Sequence, residues 1–161
     1  MTRNEFIMKW SQAVIAACNG TTLFPSLFMA QMILESSDSN GVPGGSKLSR
    51  IYNNYFGIKD SKDWKGRTVN LKTGEVFNGV STTINDDFRV YDSVEDSIKD
   101  RVKFLQQNPT YIKHGVFTAK TTFLQAQALK DAGYATGPNY VSVLTSIIND
   151  NNLISLDLKK K

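Results

Sequence analysis

The sequence predicts an α+β domain, mainly helical, carrying one small antiparallel β insertion. Three observations carry that expectation: apolar residues at helical spacing towards both ends of the chain, a block of short β-prone runs in the middle, and no repeat or linker that divides it. A length of 161 residues suffices for one core and is short for two. A single domain over residues 1–161 is therefore expected, with the β part at about 60–91.

From about Asn4 to Cys18, the residues Phe6, Ile7, Trp10, Val14 and Cys18 recur at spacings of three and four, which predicts an amphipathic helix closed by Asn19-Gly20. LFPSLFMAQMILES follows. Pro25 suits a first helical turn and apolar residues fall on nearly every face, so this helix is expected to be central. SSDSNGVPGGSKLSR reads as a loop with a short helical turn at SKLSR. Between Trp64 and Tyr91 lie TVNL, EVF and FRVY, with Lys72-Thr73-Gly74 as the turn between the first two. Asp92-Ser93-Val94-Glu95 resembles a capping box and starts a helix through Ile98, Val102 and Leu105 that stops at Asn108-Pro109. Two more helices are expected, at about Lys120 to Ala132 before Gly133 and at about Pro138 to Ile148.

Composition narrows the function classes. Hydrophobic content of 40% and charged content of 21% exclude collagenous and disordered classes. Nineteen basic against fifteen acidic side chains give a net charge of +4, which favours a polyanionic partner such as nucleic acid, an anionic membrane or an acidic cell wall without choosing among them. No apolar run is long enough to span a membrane. Glu5, Lys9, Trp10 and Gln12 interrupt any signal-peptide core, so an exported protein would need phage-type release or would have lost its signal. Cys18 is the only cysteine, which excludes an intrachain disulfide, and its setting in AVIAAC is that of a small buried residue. His114 is the only histidine and reads as a surface loop residue, so neither a metal-ligand cluster nor a Cys/His dyad is expected. Gly41 to Gly45 lacks the following Lys-Ser/Thr of a phosphate loop, and no cofactor is expected. Arg101, Lys103, Tyr111, Lys113 and His114 mix basic and aromatic character as single-strand nucleic-acid binders do, but Arg101 and Lys103 read as a solvated helix face. Lys159-Lys160-Lys161 reads as a disordered tail.

Glu35 directly follows the apolar run of the second helix. It shares a face with Phe28, Gln31 and Met32 near the helix C-terminus, where both burial and the backbone dipole raise a carboxyl pKa. A carboxylic acid kept protonated near neutrality can give its proton to a leaving group, as a general acid in glycoside hydrolysis must. Periodicity alone favours a plainer alternative, a surface glutamate at a frayed helix end.

Six stretches in order tip this balance: Ala30-Gln31-Met32-Ile33-Leu34-Glu35-Ser36, Asn53-Asn54-Tyr55-Phe56-Gly57-Ile58-Lys59, Thr73-Gly74-Glu75-Val76-Phe77-Asn78-Gly79, Phe88-Arg89-Val90-Tyr91-Asp92-Ser93, Asn108-Pro109-Thr110-Tyr111 and Gly133-Tyr134-Ala135-Thr136-Gly137-Pro138-Asn139-Tyr140. Together they resemble glycoside hydrolase family 73, bacterial and phage endo-β-N-acetylglucosaminidases that cut peptidoglycan. The resemblance covers nearly the whole chain. It implies a lysozyme-like α+β fold in which a helical lobe and a small β-lobe flank a glycan cleft. It also implies action on cell-wall glycan strands without cofactor or metal, and a monomer is expected.

The family's general acid falls on Glu35 and its second carboxylate on Glu75, which would activate water or steer the substrate's acetamido group. Asp86 and Asp87 are the nearest rival acids. Asn54, Phe56 and Gly57 fall on the cleft wall, where an amide would bind hydroxyl or acetamido groups and an aromatic ring would stack on a sugar face. The cleft tyrosine falls on Tyr134, with Tyr140 close enough to compete. Two departures stand out. The loop Ser37 to Gly45 is longer than usual and lacks the customary aromatic, and Gly137 replaces a common Asp, which removes a helix cap. The rival readings are a muramidase or lytic transglycosylase on the same fold, a non-catalytic glycan-binding module, and a basic nucleic-acid-binding domain.

Overall fold

A computed structural model describes the chain over residues 1–161, except for the side chains of Glu75 and Phe77. Seven α-helices are described: α1 Arg3–Cys18, α2 Pro25–Ser36, α3 Lys47–Tyr52, α4 Val94–Gln107, α5 Pro109–Lys113, α6 Thr122–Asp131 and α7 Tyr140–Asp150. A two-stranded antiparallel sheet, β1 Thr68–Phe77 and β2 Val80–Arg89, stands between α3 and α4, and a 3₁₀ segment, Leu153–Lys159, follows α7. This is the expected α+β architecture of a helical lobe with one β insertion.

Each helix boundary has a local cause. At α1 the Thr2 hydroxyl accepts from the Glu5 N–H while the Glu5 carboxylate accepts from the Thr2 N–H, a reciprocal capping box that starts the helix before the expected Asn4. Ser93 caps α4 by accepting from the Asp96 N–H. Pro109 opens α5, a short helix where the sequence suggested only a stop. Asn139 stands at the N-cap of α7 and makes no side-chain cap bond; Gly137 lies two residues before it.

The second helix is the centre of the core. Every residue from Pro25 to Ile33 is buried, and α2 packs against α1, α6, α7 and the C-terminal 3₁₀ segment. An all-round apolar helix requires neighbours on every side, and these supply them. Cys18 lies in the same core, where burial pushes its thiol up to about 12, the state of an inert packing residue.

Three expectations need correction. Lys72-Thr73-Gly74 makes no turn: these residues sit mid-strand opposite Asn85, Ile84 and Thr83, and TVNL and EVF form one continuous strand. The hairpin reverses at Asn78-Gly79, whose φ values of 51° and 78° meet the demand of a two-residue primed turn for positive φ at both positions. Arg101 does not belong to a solvated face, since it is only 1% exposed. The lysine terminus is not a free tail either: Lys160 Nζ donates to the carbonyls of Thr21 and Leu23, and the Lys161 carbonyl accepts from the Gly20 N–H.

The base of the hairpin is clamped to the helical lobe. Arg89 is buried; its Nη1 pairs with Asp100 at 2.8 Å, its Nη2 donates to Ser61 Oγ at 2.7 Å, and its Nε donates to the Lys59 carbonyl. Tyr91 donates its hydroxyl to the same Asp100 carboxylate, so that carboxylate carries both partners. A buried pair braced by further hydrogen bonds fixes geometry even where its net stabilisation is small. The hairpin therefore projects from a rigid root, and farther out the Val76 N–H donates to Thr136 Oγ1 at 3.1 Å, which ties β1 to the segment before α7.

Candidate active site

A groove lies between α2, α3 and the hairpin. It comprises two contiguous cavities of about 500 Å³ and 660 Å³, and Glu35, Leu48, Thr73 and Phe88 line both. Glu35 thus stands at the junction of the two halves, half-buried in the last turn of α2.

The end of that helix is not frayed. Ser36 Oγ donates to the Met32 carbonyl at 2.6 Å and accepts from the Gly44 N–H at 2.9 Å, while the Ser36 carbonyl accepts from the Ser46 N–H and Ser49 Oγ. Within the intervening loop Asp38 Oδ1 accepts from the N–H groups of Asn40 and Val42. The unusually long Ser37–Gly45 loop therefore folds back on the helix and holds Glu35 in place. These bonds order the end of the helix on which Glu35 stands.

Opposite Glu35 the chain turns through Asn53, at φ 55°, into Asn54-Tyr55-Phe56-Gly57. Gly57 has φ +66°, and a Cβ there would lie 3.8 Å from Glu35 Oε2, so the backbone passes close beside the carboxyl. Positive φ makes glycine the residue that fits this close approach without strain.

The other cleft residues divide into two groups. Tyr134 and Tyr140 line the cavity beside Glu35 and stack at 6.5 Å with 23° between their planes. The Tyr140 hydroxyl accepts from Gln31 Nε2 at 2.6 Å, and the Tyr134 hydroxyl donates to the Phe56 carbonyl at 2.9 Å. Burial pushes both phenols well above their ordinary range, and the nearby Glu35 charge pushes in the same direction. Tyr111, in the same wall, is pushed up to about 12 by burial. The structure thus brings both competing tyrosines to the carboxyl.

Asn54 and Phe56 play different parts from those the resemblance implies. Asn54 is fully buried: its Nδ2 donates to the carbonyls of Ile58 and Arg89 and its Oδ1 accepts from the Ile58 N–H, so the amide braces the hairpin root and has no reach to a sugar. Phe56 is 1% exposed, with its ring edge-on to Phe28 at 5.1 Å; it forms the floor of the cleft and has no open face for stacking. Asn54→Ala would leave buried backbone groups unpaired and is expected to lower stability by about 1–3 kcal/mol, visible as a lower midpoint in urea unfolding.

Of the acids, the Glu75 side chain lies outside the described residues. Its strand supplies Thr73 and Gly74 to the cavity wall. Asp86 forms an ion pair with Lys59 at 2.8 Å, and Asp87 accepts from Asn70 Nδ2. His114 is exposed beside α5, and among the described residues no cluster of His, Cys, Asp or Glu could hold a metal ion.

A groove between a helical lobe and a β-hairpin, with a carboxyl group at the end of the central helix and a tyrosine pair beside it, defines a lysozyme-like catalytic architecture. The glucosaminidase family model, described as mannosyl-glycoprotein endo-beta-N-acetylglucosaminidase, matches residues 11–153. The chain belongs to this family. It is 38% identical over 139 residues to the peptidoglycan hydrolase FlgJ of Escherichia coli (strain K12), covering 83% of this chain and 42% of that protein. A probable N-acetylmuramidase of Lactococcus lactis subsp. lactis is 38% identical over 150 residues, covering 89% of this chain and 32% of the relative. Among solved structures, the catalytic domain of the autolysin Auto from Listeria monocytogenes superposes with a TM-score of 0.76 at 33% identity, covering 96% of this chain and 87% of that one. The chain spans less than half the length of these two curated relatives.

Proposed function

We propose that this chain hydrolyses the glycan strands of peptidoglycan as an endo-β-N-acetylglucosaminidase, cutting the β-1,4 bond that follows N-acetylglucosamine. The observation that carries the reading is the position of Glu35: half-buried, on a helix end ordered by the Ser36 bonds, and shared by both cavities of the groove. A glycan lying along the groove presents its scissile oxygen at the junction, where Glu35 protonates the leaving group. Glu75, on the strand that contributes Thr73 and Gly74 to the wall, is the proposed second carboxylate, as base towards water or as support for the acetamido group and the developing oxocarbenium charge. Tyr134, half-buried in the cavity wall, supplies apolar ring surface to the sugar, while buried Tyr140 backs it from behind.

The likeness to a probable N-acetylmuramidase of Lactococcus favours one second reading, cleavage after N-acetylmuramic acid on the same fold. Incubation with purified sacculi tests the proposal at the level of reaction class. New reducing ends should appear on the glycan; release of peptide without them would contradict glycosidase action.

The acidic wall polymer is the proposed partner of the net charge of +4. Lys47 and Lys72 line the groove, together with Lys59 paired to Asp86 and with the acidic Glu35 and Asp60, so the excess of positive charge lies partly outside the groove. Exposed charges are screened over about 8 Å at physiological salt, so activity on intact sacculi should fall with added salt more steeply than activity on a neutral chitooligosaccharide. Equal salt slopes would remove electrostatics from substrate capture. The site of action is the cell wall, reached by release or export. The protein is proposed to act as a monomer.

A further inference from the structure

Arg101 on α4 is buried to 1% exposure, and among the described residues no salt bridge reaches it. Its Nη2 donates to Gln31 Oε1 and the guanidinium also reaches the Tyr134 side chain, while Nε and Nη1 make no well-formed hydrogen bond among the described residues. The guanidinium carbon instead lies 4.2 Å from the Phe28 ring centroid and 5.7 Å from that of Phe56. A buried cation held in this way is costly, and an apolar side chain of similar volume at such a position is often neutral or stabilising. A general gain in fold stability is therefore a poor explanation for an arginine here.

Its neighbours supply a better one. Gln31 stands one helical turn before Glu35 on α2 and donates to the Tyr140 hydroxyl. Phe56 accepts from the Tyr134 hydroxyl and precedes Gly57, the residue beside the Glu35 carboxyl. The Arg101 charge favours the ionised forms of Tyr134 and Tyr140 while the Glu35 charge opposes them, so the two charges act on the same pair of rings from behind and within the cleft.

We propose that Arg101 is a positioning residue for the hydrolytic site: its guanidinium locks Gln31 to Tyr140 and seats the Phe28–Phe56 floor beneath Glu35, and its charge sets the pH range over which Glu35 can donate a proton. A nearby positive charge favours the carboxylate, so it places the loss of activity with rising pH lower than it would otherwise lie. Other groups share the cavities with Glu35: Lys47 of α3, Lys59 and Asp60 after it, and Lys72 of β1, the strand that also carries the proposed second carboxylate Glu75. Tyr111, Tyr134 and Tyr140 face it from the helical lobe. All of these are unchanged in a variant at position 101, so the difference between profiles isolates Arg101.

The inference rests on Glu35 as the acid, and the experiment separates the two claims. The pH dependence of kcat/KM on soluble murein glycan fragments is compared for the wild type, Arg101→Met and Arg101→Lys, with Glu35→Gln as control and circular dichroism to verify folding. Arg101→Met keeps the volume and removes the charge; its high-pH limb should move up by about half a unit or more. Arg101→Lys keeps a charge but loses the planar fork, so its limb should stay near that of the wild type while kcat falls severalfold through the loosened Gln31–Tyr140 pair. A folded, active Arg101→Met with an unmoved limb would overturn the proposal, as would failure of both variants to fold, which would reduce Arg101 to a packing residue. An active Glu35→Gln would instead overturn the assignment of the acid itself.

Discussion

Glu35→Gln is expected to fold like the wild type and to turn over murein at least about 10²-fold more slowly, the order of effect for removing general acid catalysis. The substitution is nearly isosteric, and hydrogen bonds of Ser36, Gly44, Ser46 and Ser49 hold the end of α2 in either form. The loss should therefore appear in turnover with little change in the thermal midpoint. Wild-type clearing of a murein suspension by folded Glu35→Gln would remove the residue from the chemistry. A parallel fall in stability would mean that the carboxyl serves the fold.

Phe56→Ala should have the opposite signature, a large loss of stability of about 3–5 kcal/mol. The ring is in edge contact with Phe28 at 5.1 Å and forms part of the seat of the Arg101 guanidinium, so truncation opens a cavity under a buried cation. Equilibrium unfolding in urea should show the change as a lower midpoint. If Phe56 were an open sugar platform, the midpoint would hold and the loss would fall on KM.

These two residues also show how much was legible in the sequence. Glu35 could be read because its signal is local: an ionisable group closing a run of apolar residues on one helix. The roles of Asn54 and Phe56 could not, because their partners come from distant parts of the chain, Arg89 for the amide and Phe28 for the ring. The hairpin turn was misplaced for a different reason. Asn78-Gly79 carries the stronger turn chemistry, yet Lys72-Thr73-Gly74 drew attention because Gly74 interrupts the β-prone run. Arg101 was legible in principle. Ile98, Arg101, Val102 and Leu105 follow the i, i+3, i+4, i+7 stripe of one helix face, and its charge concealed a position that its spacing declared buried. The second carboxylate is the part of the site that rests on family resemblance, with its strand placed along the groove.

The measurement that bears most directly on the function is the chemistry of the newly formed glycan end. Murein digested by the wild-type chain, reduced with borohydride and analysed by mass spectrometry, should yield fragments ending in N-acetylglucosaminitol, because water completes a cleavage in which Glu35 protonates the oxygen that leaves N-acetylglucosamine. Main products ending in N-acetylmuramitol, or in 1,6-anhydro ends that resist reduction and are lighter by one water, would contradict the glucosaminidase reading and assign the same groove to a muramidase or a transglycosylase.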